Sequence, residues 1–125
     1  SLAYEMHVGA SFVLKRRLSA TETELAAVSA HVEGMHVCLY DDMIRTGSTL
    51  ITAAKAYLDA GATSVSAFAT HGVLPGDSLQ KLKSSKLLQT IVCTNSHPAA
   101  LGLEDDFLHV VSIADILVTG LSTGF

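Results

Sequence analysis

The sequence predicts an α/β fold in which a mostly parallel sheet is flanked by helices. Short apolar runs alternate with segments of helical period, an order that is typical of strand–helix–strand units. The strand-like runs are rich in Val, Ala and Leu without strict alternation, which suits a sheet buried on both faces. The 125 residues, 49% of them hydrophobic, predict one packed domain over residues 1–125.

The first third of the chain is predicted to hold the end of a helix and two strands. Gly9 follows an amphipathic start, and glycine is common just after a helix C-terminus. A strand over residues 10–14 precedes the basic triplet at 15–17, and the polar residues 19–24 indicate a helix start or a mobile loop. A second strand, over residues 35–40, leads directly to an acidic pair.

The rest of the chain continues the alternation. Apolar residues recur at helical spacing from residue 49, and Gly61 is placed to end that helix. The other predicted elements are strands over 65–69, 90–94 and 108–111 and short helices over 77–83 and 112–118. Ligands of such folds bind outside the carboxyl ends of the strands, so the residues that follow the strands are the first candidates for a site. They are Lys15, Arg16, Arg17, Asp41, Asp42, His71, Gly72, Asn95 and Ser96.

Charge and composition exclude several classes of protein. The formal net charge of −4 argues against a nucleic-acid partner. No apolar run approaches the roughly 20 residues of a spanning helix and no signal peptide is visible, so we expect a cytoplasmic protein without a membrane partner. Cys38 and Cys93 lie in apolar runs and are expected to be buried thiols rather than disulfide or zinc ligands.

The segment over residues 37–50 carries the strongest indication of chemistry. A hydrophobic strand leads to Asp41 and Asp42, and a turn of small and hydroxylated residues from Thr46 to Thr49 then opens a helix. The free N–H groups and positive dipole of a helix N-terminus attract an anion such as phosphate. Two carboxylates suit a vicinal diol or Mg²⁺. The pattern indicates a ribose 5-phosphate site, although a helix cap after an acidic turn explains the same residues.

Residues 41–49, which read Asp-Asp-Met-Ile-Arg-Thr-Gly-Ser-Thr, resemble the phosphoribosyl pyrophosphate motif of the type I phosphoribosyltransferase fold. Three further segments narrow the resemblance to ribose-phosphate pyrophosphokinases: 15–17 (Lys-Arg-Arg), 69–73 (Ala-Thr-His-Gly-Val) and 92–96 (Val-Cys-Thr-Asn-Ser). The resemblance covers residues 9–117 and implies a Rossmann-like, type I phosphoribosyltransferase-like domain, expected to be the C-terminal domain of such an enzyme.

The resemblance implies a kinase of nucleotide biosynthesis that transfers diphosphate from ATP to ribose 5-phosphate, giving phosphoribosyl pyrophosphate and AMP with Mg²⁺ as cofactor. This chain would supply the ribose 5-phosphate half of the site and be inactive alone, because the upstream domain that helps to bind ATP is missing. The family also implies a homo-oligomer. The implied roles are catalysis for Lys15 and Arg17, and ribose 5-phosphate binding for Asp41, Asp42, Thr46, Gly47, Ser48 and Thr49.

Cations suit a transferring phosphoryl group, although a solvated basic strand end also explains residues 15–17. Arg45 stands where the family usually carries Asp, so it either adds a bond to a phosphate or impairs sugar or metal binding. That departure favours an alternative, a non-catalytic or regulatory relative, and a phosphoribosyltransferase that uses phosphoribosyl pyrophosphate is a third interpretation.

His71 is either a ligand contact or an anchor of its loop. The acidic run at 104–106 is expected to be a solvated loop.

Overall fold

The computed structural model of the protein describes residues 2–11, 13–16 and 25–124. The elements are α1 (Leu2–Glu5), β1 (Val13–Arg16), β2 (Leu25–Val28), β3 (His36–Ile44), α2 (Ser48–Asp59), β4 (Ser64–Gly72), α3 (Ser78–Ser85), β5 (Ile91–Thr94), a 3₁₀ helix (Pro98–Leu103), β6 (Leu108–Val111) and α4 (Ala114–Thr123).

Four strands form a parallel sheet in the order β3-β4-β5-β6. Strands that follow one another in the chain are therefore neighbours in the sheet, and each crossover carries at least one helix. The carboxyl ends of all four strands meet at one edge, as they must in a parallel sheet. The predicted α/β fold with flanking helices is confirmed.

The first two strands form a separate antiparallel sheet. The predicted strand over residues 10–14 is displaced to Val13–Arg16, so Lys15 and Arg16 lie inside β1 rather than after it. Their pairing with Ala26 and Leu25 of β2 extends the strand beyond the apolar run. Lys15 and Arg16 therefore belong to a different sheet from the acidic pair and do not follow a strand end as expected. Arg17 and the polar residues 19–24 lie outside the described residues.

The core lies between the parallel sheet and the helices α2 and α3. The sheet contributes apolar residues that are fully buried, and α2 buries one face through residues at helical spacing, as predicted. Gly61 follows the end of α2, which confirms that prediction too. The main contributors are Val65, Ala67, Ile91 and Leu108 from the sheet, Leu50, Ala54 and Tyr57 from α2, and Leu79 and Leu82 from α3.

Part of the sheet remains exposed to solvent within the described chain. Tyr40 of β3 and Phe68 of β4 are register partners, and they are 63% and 41% exposed. The prediction of a sheet buried on both faces is wrong for this part. No helix in the described ranges is long and apolar enough to cross a membrane.

The two cysteines have different surroundings. Cys93 of β5 is buried as expected, and burial followed by the charge of Glu104 raises the pKa of its thiol. Cys38 is exposed, so the expectation was wrong there, because burial alternates along β3 and Cys38 lies on the same exposed face as Tyr40.

Candidate functional site

The strand β3 carries the acidic pair to the carboxyl edge of the sheet. It continues to Ile44 rather than ending at residue 40, because its parallel ladder with β4 extends to the pair Ile44–Gly72. Asp41 and Asp42 therefore lie inside the strand and not after it, contrary to the prediction. The Ile44 carbonyl accepts hydrogen bonds from the N–H groups of Val73 and Leu74 at 3.0 and 3.2 Å, and these bonds bind the two strand ends together.

The two carboxylates are not equivalent. Successive residues of a strand point to opposite faces, and accordingly Asp41 lines a pocket at the sheet edge while Asp42 is exposed and does not line it. The Oδ1 of Asp41 accepts a hydrogen bond of 2.9 Å from the backbone N–H of Asp42. This bond orients the Asp41 carboxylate and leaves its second oxygen available to a ligand.

The turn after β3 leads directly into helix α2, which begins at Ser48, one residue before the predicted start. Gly47 has φ +81° in the left-handed region and no side chain caps the helix. The first N–H groups of a helix have no intrahelical partner, so they remain free for an anion. The hydroxyls of Thr46 and Ser48 share a hydrogen bond of 3.3 Å on exposed residues, so one hydroxyl hydrogen is left for a ligand while that bond is kept.

Helix α3 supports the turn from behind. A Cβ atom at Gly47 would lie 2.6 Å from Cδ2 and 2.7 Å from Cγ of Leu82, and Leu82 is fully buried. Both the backbone conformation and the close approach therefore require glycine at this position.

An open pocket of about 370 Å³ joins the strand end to the turn and the helix start. One carboxylate, one guanidinium and the hydroxyls of the turn share this space with an apolar wall, and Arg45 contributes the cation. The residues that line this pocket are Asp41, Met43, Ile44, Arg45, Thr46, Gly47, Thr49 and Leu50. A second pocket of about 220 Å³ adjoins it and shares Asp41, Thr49 and Leu50.

The neighbouring strands β4 and β5 end in a polar network. His71 lies inside β4 rather than after it, and its Nδ1 lies 2.7 Å from Ser96 Oγ. The carbonyl of Thr70 accepts hydrogen bonds from the hydroxyls of Ser96 at 2.9 Å and Thr94 at 2.6 Å. The Thr94 hydroxyl in turn accepts one from the Ser96 N–H at 3.1 Å. The sequence placed Ser96 at the sheet edge but did not connect it with His71.

The segment after this network is also held by side-chain caps. Asn95 Oδ1 accepts a hydrogen bond of 3.1 Å from the Ile113 N–H just before α4, and His97 Nδ1 accepts one of 3.2 Å from the Ala99 N–H at the start of the 3₁₀ helix. The short 3₁₀ helix was not predicted, because Pro98 and the small residues after it carry no clear period.

Among the described residues no group of three or more His, Cys, Asp or Glu side chains could hold a metal ion. The run at 104–106 is exposed, as expected of a solvated loop. Asp105 nevertheless has a structural role. It accepts hydrogen bonds from Lys83 and from the N–H groups of Phe107 and Leu108, and the Lys83 bond is the main cause that lowers the pKa of Asp105 to about 2.

Comparison with known proteins identifies the family. Residues 7–122 match the family described as "Phosphoribosyl synthetase-associated domain". The chain belongs to this family.

Relatives of the phosphoribosyl synthetase-associated domain family agree with that match. The chain is 36% identical over 117 residues to a ribose-phosphate pyrophosphokinase of Brucella melitensis and 39% identical over 107 residues to one of Agrobacterium fabrum. These alignments cover 94% and 86% of this chain, but 38% and 34% of the relatives. The resemblance stated from the sequence is confirmed.

A solved structure is similar as well. The phosphoribosylpyrophosphate synthetase of Mycobacterium smegmatis superposes with a TM-score of 0.82 at 30% identity, over 97% of this chain and 38% of that one. The chain thus spans less than two fifths of the length of these relatives. These matches do not support the predicted C-terminal position within a longer enzyme.

Proposed function

We propose that the chain binds ribose 5-phosphate, as part of a protein that transfers diphosphate from ATP to this sugar and forms phosphoribosyl pyrophosphate and AMP. The observation that carries the proposal is the pocket in which the uncapped start of α2 lies beside Asp41. Free N–H groups and hydroxyls suit the 5-phosphate, and a carboxylate suits the sugar hydroxyls. The names of the relatives support the same substrates.

Each part of the pocket has a distinct task in this proposal. Thr46, Gly47, Ser48 and Thr49 hold the phosphate, with Gly47 allowing the backbone to approach it. Asp41 accepts hydrogen bonds from the sugar hydroxyls. Mg²⁺ typically binds through one or two carboxylates together with substrate phosphates, so Asp41 fits this cofactor when the substrates are present.

Two roles implied by the family remain proposals without geometric support. Asp42 is exposed and outside the pocket lining, so its contact with the sugar depends on a ligand that reaches over the strand. Lys15 belongs to the separate antiparallel sheet, and Arg17 lies outside the described residues. Homo-oligomer formation, the cytoplasmic location and the lack of nucleic-acid or membrane partners are likewise proposals from family and composition.

Calorimetry of the 125-residue chain with ribose 5-phosphate tests the binding proposal, with ribose and inorganic phosphate as partial ligands. We expect Asp41→Asn to weaken binding by about 1–3 kcal/mol, because a hydrogen-bonded acceptor is lost. Asp42→Asn is the matched control, with a smaller expected effect. No heat at millimolar ribose 5-phosphate would refute the proposed site, and equal losses in both variants would refute the separate roles of the two carboxylates.

The catalytic half of the proposal is tested by replacing the matching segment of the Brucella relative with this chain and measuring AMP formation. The 125 residues alone are expected to be inactive. Arg45, an exposed cation in the pocket lining, favours the second candidate, a non-catalytic relative that still binds sugar phosphate. A silent chimera that Arg45→Asp activates supports that candidate, whereas robust activity with Arg45 present excludes it.

A further inference from the structure

The hydrogen bonds around His71 determine which nitrogen of its ring carries a proton. The Ser96 hydroxyl has one hydrogen, and a carbonyl oxygen can only accept. Because Ser96 Oγ lies 2.9 Å from the Thr70 carbonyl and donates to it, the same oxygen must accept from His71 Nδ1–H at 2.7 Å. The neutral ring is therefore held in the form protonated at Nδ1, with a lone pair on Nε2.

Thr94 holds Ser96 in place for this task. Its hydroxyl accepts a hydrogen bond from the Ser96 N–H at 3.1 Å while it donates to the Thr70 carbonyl at 2.6 Å. The carbonyl of Thr70 thus receives both hydroxyl hydrogens, and the Ser96 hydroxyl has no second hydrogen to donate to His71. The network connects the ends of two strands and leaves the ring one hydrogen-bonding choice.

The second ring nitrogen of His71 is free. Nε2 has no hydrogen bond to the described residues, whose buried side-chain nitrogen and oxygen atoms all have partners. Since His71 is half-buried, its unpartnered Nε2 must reach solvent. His71 does not itself line the pocket, but it is the register partner of Met43, which does, and neighbouring strands lie about 4.8 Å apart.

We propose that Nε2 of His71 accepts a hydrogen bond from a hydroxyl of the sugar in the pocket, and that Ser96 is a positioning residue that keeps this nitrogen unprotonated. The part that concerns the ligand rests on the proposed function. The part that concerns the ring does not, because it follows from the hydrogen bonds of the protein alone. A loop anchor without contact to the ligand is the competing explanation for the same histidine.

Nitrogen-15 NMR of the imidazole rings in the 125-residue chain, at a pH where they are neutral, tests the role of Ser96. We expect the Nδ1–H form for His71 in the wild type and appearance of the Nε2–H form in Ser96→Ala. Ser64→Ala is the matched control, because it removes the hydroxyl 2.6 Å from Nδ1 of His36 and should change that ring alone. An Nε2–H form in the wild type, or no change in Ser96→Ala, would overturn the positioning role.

Titration with ribose 5-phosphate tests the contact with the ligand. We expect the His71 Nε2 resonance to shift on binding, and His71→Phe to bind ribose 5-phosphate about three- to tenfold more weakly, as for one lost neutral hydrogen bond. The affinity for inorganic phosphate, which has no sugar hydroxyl, should stay the same. Urea unfolding of His71→Phe confirms that the variant is folded before its affinity is compared.

The outcomes separate the two proposals. If the wild type binds ribose 5-phosphate and His71→Phe binds it equally well, the contact is refuted while the proposed function stands. If both affinities fall in parallel, His71 contacts the phosphate and the hydroxyl assignment is wrong. If the wild type binds no ribose 5-phosphate, the proposed function fails and the contact with it, while the NMR result still decides the role of Ser96.

Discussion

Two turns at the same edge of the sheet contain similar residue types and use them in opposite ways. After β3, the hydroxyls of Thr46 and Ser48 are exposed and the first turn of α2 has no side-chain cap. After β5, the hydroxyls of Thr94 and Ser96 are committed to the Thr70 carbonyl. Hydroxyls that donate to the backbone of a neighbouring strand stabilise the fold, whereas the exposed Thr46 and Ser48 hydroxyls bond to each other and can turn to a ligand. The partners of a side chain, and not its type, distinguish a site from a structural turn.

The largest expected effect comes from adding a methyl group at Gly47, in the turn after β3. Gly47→Ala adds a Cβ at φ +81° and within 3 Å of Leu82, so we expect a loss of about 2–5 kcal/mol of unfolding free energy from backbone strain and overpacking. Urea unfolding measures this. Gly76→Ala is the control, because Gly76 has φ +59° with nothing within 4 Å of its Cβ position. Equal losses in both variants would show that contact with Leu82 contributes nothing.

A pair of identical substitutions then tests the contrast between the turns. In the turn after β5, Thr94→Val removes a hydroxyl with two hydrogen bonds and leaves the Ser96 N–H without its partner. We expect the free energy of unfolding to fall by about 1–3 kcal/mol. The midpoint and slope of urea unfolding measure this change. An unchanged free energy of unfolding would mean that water replaces the hydroxyl and that its hydrogen bonds do not stabilise this turn.

In the turn after β3, Thr46→Val should leave the free energy of unfolding within about 0.5 kcal/mol of the wild-type value. Thr46 is exposed, and the effects of such surface changes are usually small. The affinity for ribose 5-phosphate should instead fall by about 1 kcal/mol through the loss of one hydroxyl donor. Calorimetry and urea unfolding of the same sample check both values. A Thr46→Val protein that unfolds as easily as Thr94→Val would contradict the comparison.

The smallest expected effect is in the loop before β6, where Lys83 holds Asp105. The pKa of Asp105 is lowered to about 2, below the value of about 3.9 in an unfolded chain. Its contribution to stability is therefore present above about pH 4 and lost as the pH falls towards 2. We expect Asp105→Asn to unfold with less dependence on pH over that interval than the wild type. Asp106→Asn, the control in the same loop, should retain the wild-type pH dependence in urea unfolding.

The sequence predicted the architecture well because hydrophobic period and strand–helix alternation are local properties. The helix from residue 49 and the strand over 108–111 appear almost as predicted. The strand ends were wrong where pairing with a neighbour decides the length. Both β3 and β4 run past their predicted ends at residues 40 and 69 because they pair with each other as far as Ile44 and Gly72.

The candidate site was likewise predicted where local sequence determines it and missed where contacts between distant residues determine it. The turn from Thr46 to Thr49 was visible as a motif, since hydroxylated residues before a helical period have a direct physical reading. The bond between His71 and Ser96 was not, because it joins residues that are 25 apart in sequence and depends on which strands are neighbours. The unequal exposure of Asp41 and Asp42 likewise required the extended strand.

The contact between Leu82 and Gly47 makes the site depend on a helix that contributes no lining residue to it. Because α3 follows the turn by some thirty residues, the loop that would bind a phosphate is supported by a later part of the chain. A loss of affinity caused by a change in α3 would therefore be a folding defect that is observed as a binding defect.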